Sequence, residues 1–154
     1  MQRCIFIFFV LISLFCCSIA SAANGSKASY IGGTVSQLPP NCDGAVDSMD
    51  QDFFVFWTGK TNLRIAYTQI NLLEYGQRVS RRVALAVVIS PMLILAKRRK
   101  HFLTLGYQDE VGKQQAMVFE VSKSDIRTVL VSLEARTGLK VQFQDEDARR
   151  GGKD

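Results

Sequence analysis

Apolar and polar positions change period along this chain, and the changes mark its elements. Leu103, Leu105 and Tyr107 alternate with polar neighbours, Asp109-Glu110-Val111-Gly112-Lys113 supplies a turn, and Met117, Phe119 and Val121 alternate again. That pattern predicts an antiparallel hairpin. Beyond Ser122 the period lengthens to three or four: Ile126, Val129, Leu130 and Leu133 share one face of a predicted amphipathic helix from Asp125 to Thr137. Ser122 or Ser124 is its expected cap, and Gly138 stands where a left-handed residue ends helices. Upstream, Phe53-Phe54-Val55-Phe56-Trp57 has the aromatic and β-branched content of a strand, and Leu63, Ile65, Tyr67, Ile70, Leu72, Leu73 and Tyr75 continue an apolar pattern toward Gly76. Tyr30 to Leu38 reads as a weaker strand, ended by Pro39-Pro40-Asn41-Cys42-Asp43-Gly44, and Leu139 to Phe143 alternates once more. Strands followed by one terminal helix predict an α+β fold.

The first residues follow a different logic. Met1-Gln2-Arg3 precedes an apolar run from Cys4 to Cys17, and Ala20-Ser21-Ala22 closes it. A positive start, a short apolar core and an Ala-x-Ala site are the parts of an export signal, so residues 1–22 are expected to be removed after Ala22. The product is expected to be periplasmic or secreted, with an uncleaved N-terminal anchor as the alternative, since Cys4 to Ala23 approaches the ~20 residues of a membrane span. Residues 23–29 are expected to form a flexible tail, 30–144 the folded domain and 145–154 a polar tail. Removing the signal removes Cys4, Cys16 and Cys17, which leaves Cys42 alone and excludes an internal disulfide.

Charge singles out one interval. Val83 to Ala96 holds no charged residue and 12 apolar residues of 14, while Arg78, Arg81 and Arg82 precede it and Lys97, Arg98, Arg99 and Lys100 follow it. Fourteen residues are too few to span a bilayer, and Pro91 interrupts a helix through them. Three readings fit: two short strands or a bent helix covering part of the sheet, an apolar wedge with cationic collars at an anionic lipid surface, or a surface buried against another chain, either an envelope protein or, in a structural or assembly protein of the envelope, a second copy of itself. The candidate contact residues are Arg78, Arg81, Arg82, Val88, Ile89, Met92, Leu93, Lys97, Arg98, Arg99 and Lys100. Nucleic acid is not the expected partner despite a pI of 9.2, because the aromatic residues are not interleaved with the basic ones and the chain is read as exported. The sequence leaves the oligomeric state open.

The residues that carry chemistry elsewhere are scarce. His101 is the only histidine, which argues against a His-containing metal cage or a Ser-His-Asp triad, and neighbouring cations disfavour its protonated form. A solvent-facing or packing role is expected for it, and a plain loop position for Cys42. Asp43, Asp47, Asp50 and Asp52 lack the spacing of a calcium loop, and Gly32-Gly33 is followed by neither a Lys nor a helix as a phosphate loop requires. No catalytic residue, metal or cofactor is assigned, and an enzyme is not expected.

The order of these elements resembles the bacterial pleckstrin-homology-like domains, close to the GRAM type. The likeness is carried by Leu63-Arg64-Ile65-Ala66-Tyr67-Thr68-Gln69-Ile70-Asn71-Leu72-Leu73-Glu74-Tyr75-Gly76, by Lys97-Arg98-Arg99-Lys100-His101-Phe102-Leu103-Thr104-Leu105 and by the closing helix. It implies a strongly bent antiparallel sheet or partly open β-barrel, closed at one end by the C-terminal amphipathic helix, and a binding platform rather than a catalyst. Two departures stand out. Ala66 occupies a place where the family often has proline, and the early loop is acidic where eukaryotic relatives gather basic residues for phosphoinositides.

Overall fold

In the computed structural model, residues 25–59, 61–78, 100–144 and 146–152 are described. Eight strands form one sheet: β1 (Ser26–Gly33), β2 (Cys42–Asp47), β3 (Phe53–Thr58), β4 (Thr61–Ala66), β5 (Ile70–Gly76), β6 (His101–Gln108), β7 (Gln114–Val121) and β8 (Gln142–Phe143). Their spatial order is β4-β3-β2-β1-β7-β6-β5-β8. All neighbours are antiparallel except β5 and β8, which run parallel. Helix α1 (Ile126–Thr137) follows β7, and the short helix α2 (Glu146–Gly151) follows β8.

The α+β class is present, but the sheet is not closed into a barrel, which corrects the expected architecture. Closure would join the two ends of the strand order. Instead β4 ends one edge and β8 the other, and β8 takes the side of β5 that a closing strand would need. A one-turn 3-10 segment, Tyr67–Gln69, carries the chain from β4 to β5, which lie near opposite edges. The expected run from Leu63 to Tyr75 is therefore two strands joined by a turn. Two further boundaries shift: residues 26–29, expected in a tail, are the first half of β1, and the expected polar tail contains α2.

One face of the sheet carries the core. Tyr30, Phe54, Phe56 and Phe119 stack in a tilted cluster with ring centroids 5.1–6.4 Å apart, and Leu73, Leu103, Leu105 and Met117 extend it. α1 lays Ile126, Val129, Leu130 and Leu133 on this face, all at most 4% exposed. Burying four such side chains contributes about 6–12 kcal/mol before the entropy of ordering is subtracted. The helix ends as its sequence predicts, with Gly138 left-handed at φ 72° and its N–H bonded to the Glu134 carbonyl. Its start differs from expectation. Asp125 occupies the cap position without a side-chain cap bond, and Ser122 contributes its carbonyl, which accepts from the Ile126 N–H at 3.0 Å.

Candidate functional site

β5 and β6 are paired from Ile70↔Tyr107 to Gly76↔Phe102. The chain thus leaves the sheet after Gly76 and returns beside its own point of departure. The connection holding the basic-flanked apolar segment is a hairpin insertion between neighbouring strands, and its first and last residues are held at one end of the sheet. Among the candidate contact residues, Arg78 is exposed just past β5, and Lys100 is half-buried just before β6. Arg81, Arg82, Val88, Ile89, Met92, Leu93, Lys97, Arg98 and Arg99 lie outside the described residues.

Lys100 is fixed to the sheet. Its Nζ donates to Glu120 Oε2 at 2.7 Å, across from β6 to β7. With about a third of each side chain exposed, water screens the pair, and its worth is below about 1 kcal/mol. Glu74, on the same face of β5, accepts from Gln144 Nε2 at 2.8 Å. The two carboxylates are thus used separately, by a lysine and by an amide.

On the other face at this end stands a pair that sequence reading did not bring together. Tyr75 Oη lies 2.5 Å from His101 Nδ1, the rings are stacked 9° from parallel, and Phe143 meets Tyr75 edge-on. A neutral imidazole makes this bond by accepting the phenolic proton at Nδ1 in one tautomer and by donating from Nδ1 in the other. Burial lowers the His101 pKa below its ordinary value, and the Lys123 charge lowers it further. Both causes favour the uncharged form of His101, which packs against Tyr75 at the foot of the insertion. Twenty-six residues separate it from Tyr75, so neither period nor spacing signals the contact.

The remaining candidates for chemistry are absorbed by the fold. Cys42 opens β2 rather than sitting in a loop, half-buried and opposite Tyr30. Burial is the largest cause raising its pKa, the reverse of what a reactive thiolate needs. From Cys42, the register runs through Tyr30 and Phe119 to Leu103, so three strand spacings separate it from β6. At about 4.8 Å each these amount to about 14 Å measured along the sheet.

The acidic stretch serves a cross-strand contact and local turns. Asp43 accepts from Ser29 Oγ at 2.5 Å, Asp47 from the Met49 N–H at 2.8 Å, and Asp50 from the Asp52 and Phe53 N–H groups at 2.9 Å. Those amide bonds, more than the Arg64 charge, hold the Asp50 carboxyl below the usual carboxylate range. Among the described residues no group of three or more His, Cys, Asp or Glu could hold a metal ion, and no helix is long and apolar enough to cross a membrane. Gly32 and Gly33 belong to β1, where Gly33 is tight against Ala116 and the Tyr30 hydroxyl. Protein-family models give no match to this chain, and a search of curated proteins likewise finds none.

Proposed function

We propose that this chain is an exported, non-enzymatic binding module, akin to the pleckstrin-homology-like domains, that meets an anionic membrane surface through the 78–100 insertion. The observation that carries the reading is the pairing of Gly76 with Phe102. Seven basic residues, far apart along the chain in two groups, are tethered at both ends to one point of the sheet, so both groups can face one surface together. A basic residue near an anionic leaflet contributes about 1 kcal/mol. Lys100 is engaged by Glu120, which leaves six and an attraction of about 6 kcal/mol, or binding in the tens of micromolar.

Vesicle flotation tests this. The chain starting at Ala23 should float with phosphatidylglycerol-containing vesicles and not with phosphatidylcholine alone, and a variant with Lys97, Arg98, Arg99 and Lys100 changed to Gln should lose most of the bound fraction. Equal failure to float in every case would remove the membrane reading and leave the envelope-protein contact, or self-association through the same segment, as the function to pursue.

A further inference from the structure

The sheet has a second face, and its middle is apolar. Phe102 and Thr104 alternate on β6 with Leu103 and Leu105, and Val118 lies between Met117 and Phe119 on β7. Since Leu103, Leu105, Met117 and Phe119 belong to the core, Phe102, Thr104 and Val118 point away from it. An antiparallel sheet with one free face is expected to present polar, solvated side chains there. Yet Phe102 is 3%, Thr104 2% and Val118 0% exposed, as is Ile31 at 3% in the adjoining bulge of β1. The buried residues of α1 and α2 sit in the inner cluster, on the other side of the sheet. Neither described helix shields this patch.

Its border is polar and has a direction. Asn71 and Gln114 exchange hydrogen bonds of 2.7 and 3.1 Å at one end. At the other end, where the insertion leaves and returns, are Glu74 and Glu120. That end offers carboxylates to a segment with cations on both flanks, and Lys100 already takes one of them at 2.7 Å. The patch begins at Phe102, the partner of Gly76, and reaches Thr104 within two residues of strand, about 7 Å. The 14 residues from Val83 to Ala96, 12 of them apolar, have ample length to reach it.

We infer that the outer face of β1, β7, β6 and β5 is the docking surface for this chain's own residues 83–96. Beyond residue 22, the long apolar and uncharged stretch of the sequence is the one joined to the sheet at that end. The inference deepens the proposed function without depending on it. With the apolar middle seated on the sheet, the basic flanks meet an anionic surface by charge and not by insertion.

Cysteine cross-linking tests the docking. In a Cys42→Ser chain starting at Ala23, Thr104→Cys is combined in turn with Val88→Cys, Ile89→Cys, Met92→Cys and Leu93→Cys. At least one pair should form an intramolecular disulfide on mild oxidation, since bridging needs Cα atoms within about 7 Å. No bridge in any pair overturns the inference, as does a bridge in the full chain to Leu11→Cys in place of the insertion. A second measurement uses the single Thr104→Cys thiol: replacing 83–96 by a Gly–Ser linker of equal length should speed its reaction with Ellman's reagent about tenfold or more. Unchanged reactivity overturns the inference too. A chain that cross-links and does not float keeps the docking and loses the membrane contact; the opposite result does the reverse.

Discussion

Tyr67 presents a sharp energetic test. It is 4% exposed, and its hydroxyl is the buried side-chain oxygen that lacks a hydrogen-bond partner among the described residues. Burial pushes its pKa up to about 12, against the opposing pull of the Arg136 guanidinium, whose carbon lies 5.7 Å from the ring centroid. A phenol taken out of water with no replacement bond costs about 1–3 kcal/mol. Tyr67→Phe removes that cost while keeping the ring in the core and the guanidinium over its face. The Tyr67 N–H bond to the Asp52 carbonyl, 3.0 Å, belongs to the backbone and is untouched. The substitution is therefore expected to stabilise the domain by about 1 kcal/mol, or roughly 3–5 °C in Tm for a domain of this size. Urea unfolding followed by the fluorescence of Trp57, with thermal melts by circular dichroism, measures both. Tyr75→Phe is the contrast, because its hydroxyl is bonded to His101 and its removal should destabilise by about 0.5–1.5 kcal/mol. If Tyr67→Phe lowers the midpoint at an unchanged m value, the hydroxyl has a partner in solution and the argument fails.

Phe119 touches Tyr30, Phe54 and Phe56, so Phe119→Ala should cost about 3–5 kcal/mol, read as a fall in the urea midpoint. A loss under 1 kcal/mol would mean that the aromatic cluster is not the centre of the core. Gly138 holds a left-handed backbone with open space where a Cβ would go, so Gly138→Ala should cost about 1–2 kcal/mol through backbone strain alone. His101 has a folded pKa below its ordinary 6.5, so the unfolded chain binds the proton first as pH falls. Its contribution is complete above pH 6.5 and declines as pH drops through that value toward the folded pKa, so the midpoint should fall over this range and flatten in His101→Gln. An unchanged slope in the variant would assign the pH dependence to other groups. Flotation should weaken steeply between about 0.1 and 1 M salt, as the Debye length contracts from ~10 to ~3 Å. Salt-independent binding would contradict a contact made by charge.

The parts of the fold legible from sequence are those in which one residue type repeats at one period. The Leu103–Tyr107 and Met117–Val121 strands and the Ile126–Leu133 face satisfy this, because in each the side chains that reach the core cluster recur at the element's own period. Cys42–Asp47 does not. Its sequence, CDGAVD, contains a single large apolar residue, Val46, and it is a strand because β1 and β3 flank it on both sides. Helix α2 is likewise hidden, since its contribution to the core is Ala148 alone. Nor could periodicity show that β4 ends at Ala66 and a turn leads into β5, because Tyr67 is buried in the turn as it would be in a strand. Of the site, the basic groups and the apolar run were visible as composition. That their ends meet depends on the pairing of Gly76 with Phe102, and the same pairing brings Tyr75 to His101.

The charge count gives this arrangement a polarity. Beyond residue 22 and outside 78–100 there are 11 basic residues against 14 acidic ones, whereas 78–100 has seven basic and none acidic. The body of the domain is net acidic, and the positive charge of the whole chain resides in the insertion and in Arg3. An anionic surface therefore attracts the insertion and repels the remainder, which favours one orientation at the moment of encounter. At the foot of the insertion Glu120 holds Lys100 at 2.7 Å, while Glu74 accepts from Gln144. A few well-placed carboxylates can retain Lys100, but they cannot neutralise the six other cations, and those six carry the orientation. The two proposals thus divide one connection between two tasks: its apolar middle covers the outer sheet face, and its basic flanks, which leave and rejoin the sheet beside the pairing of Gly76 with Phe102, meet an anionic partner.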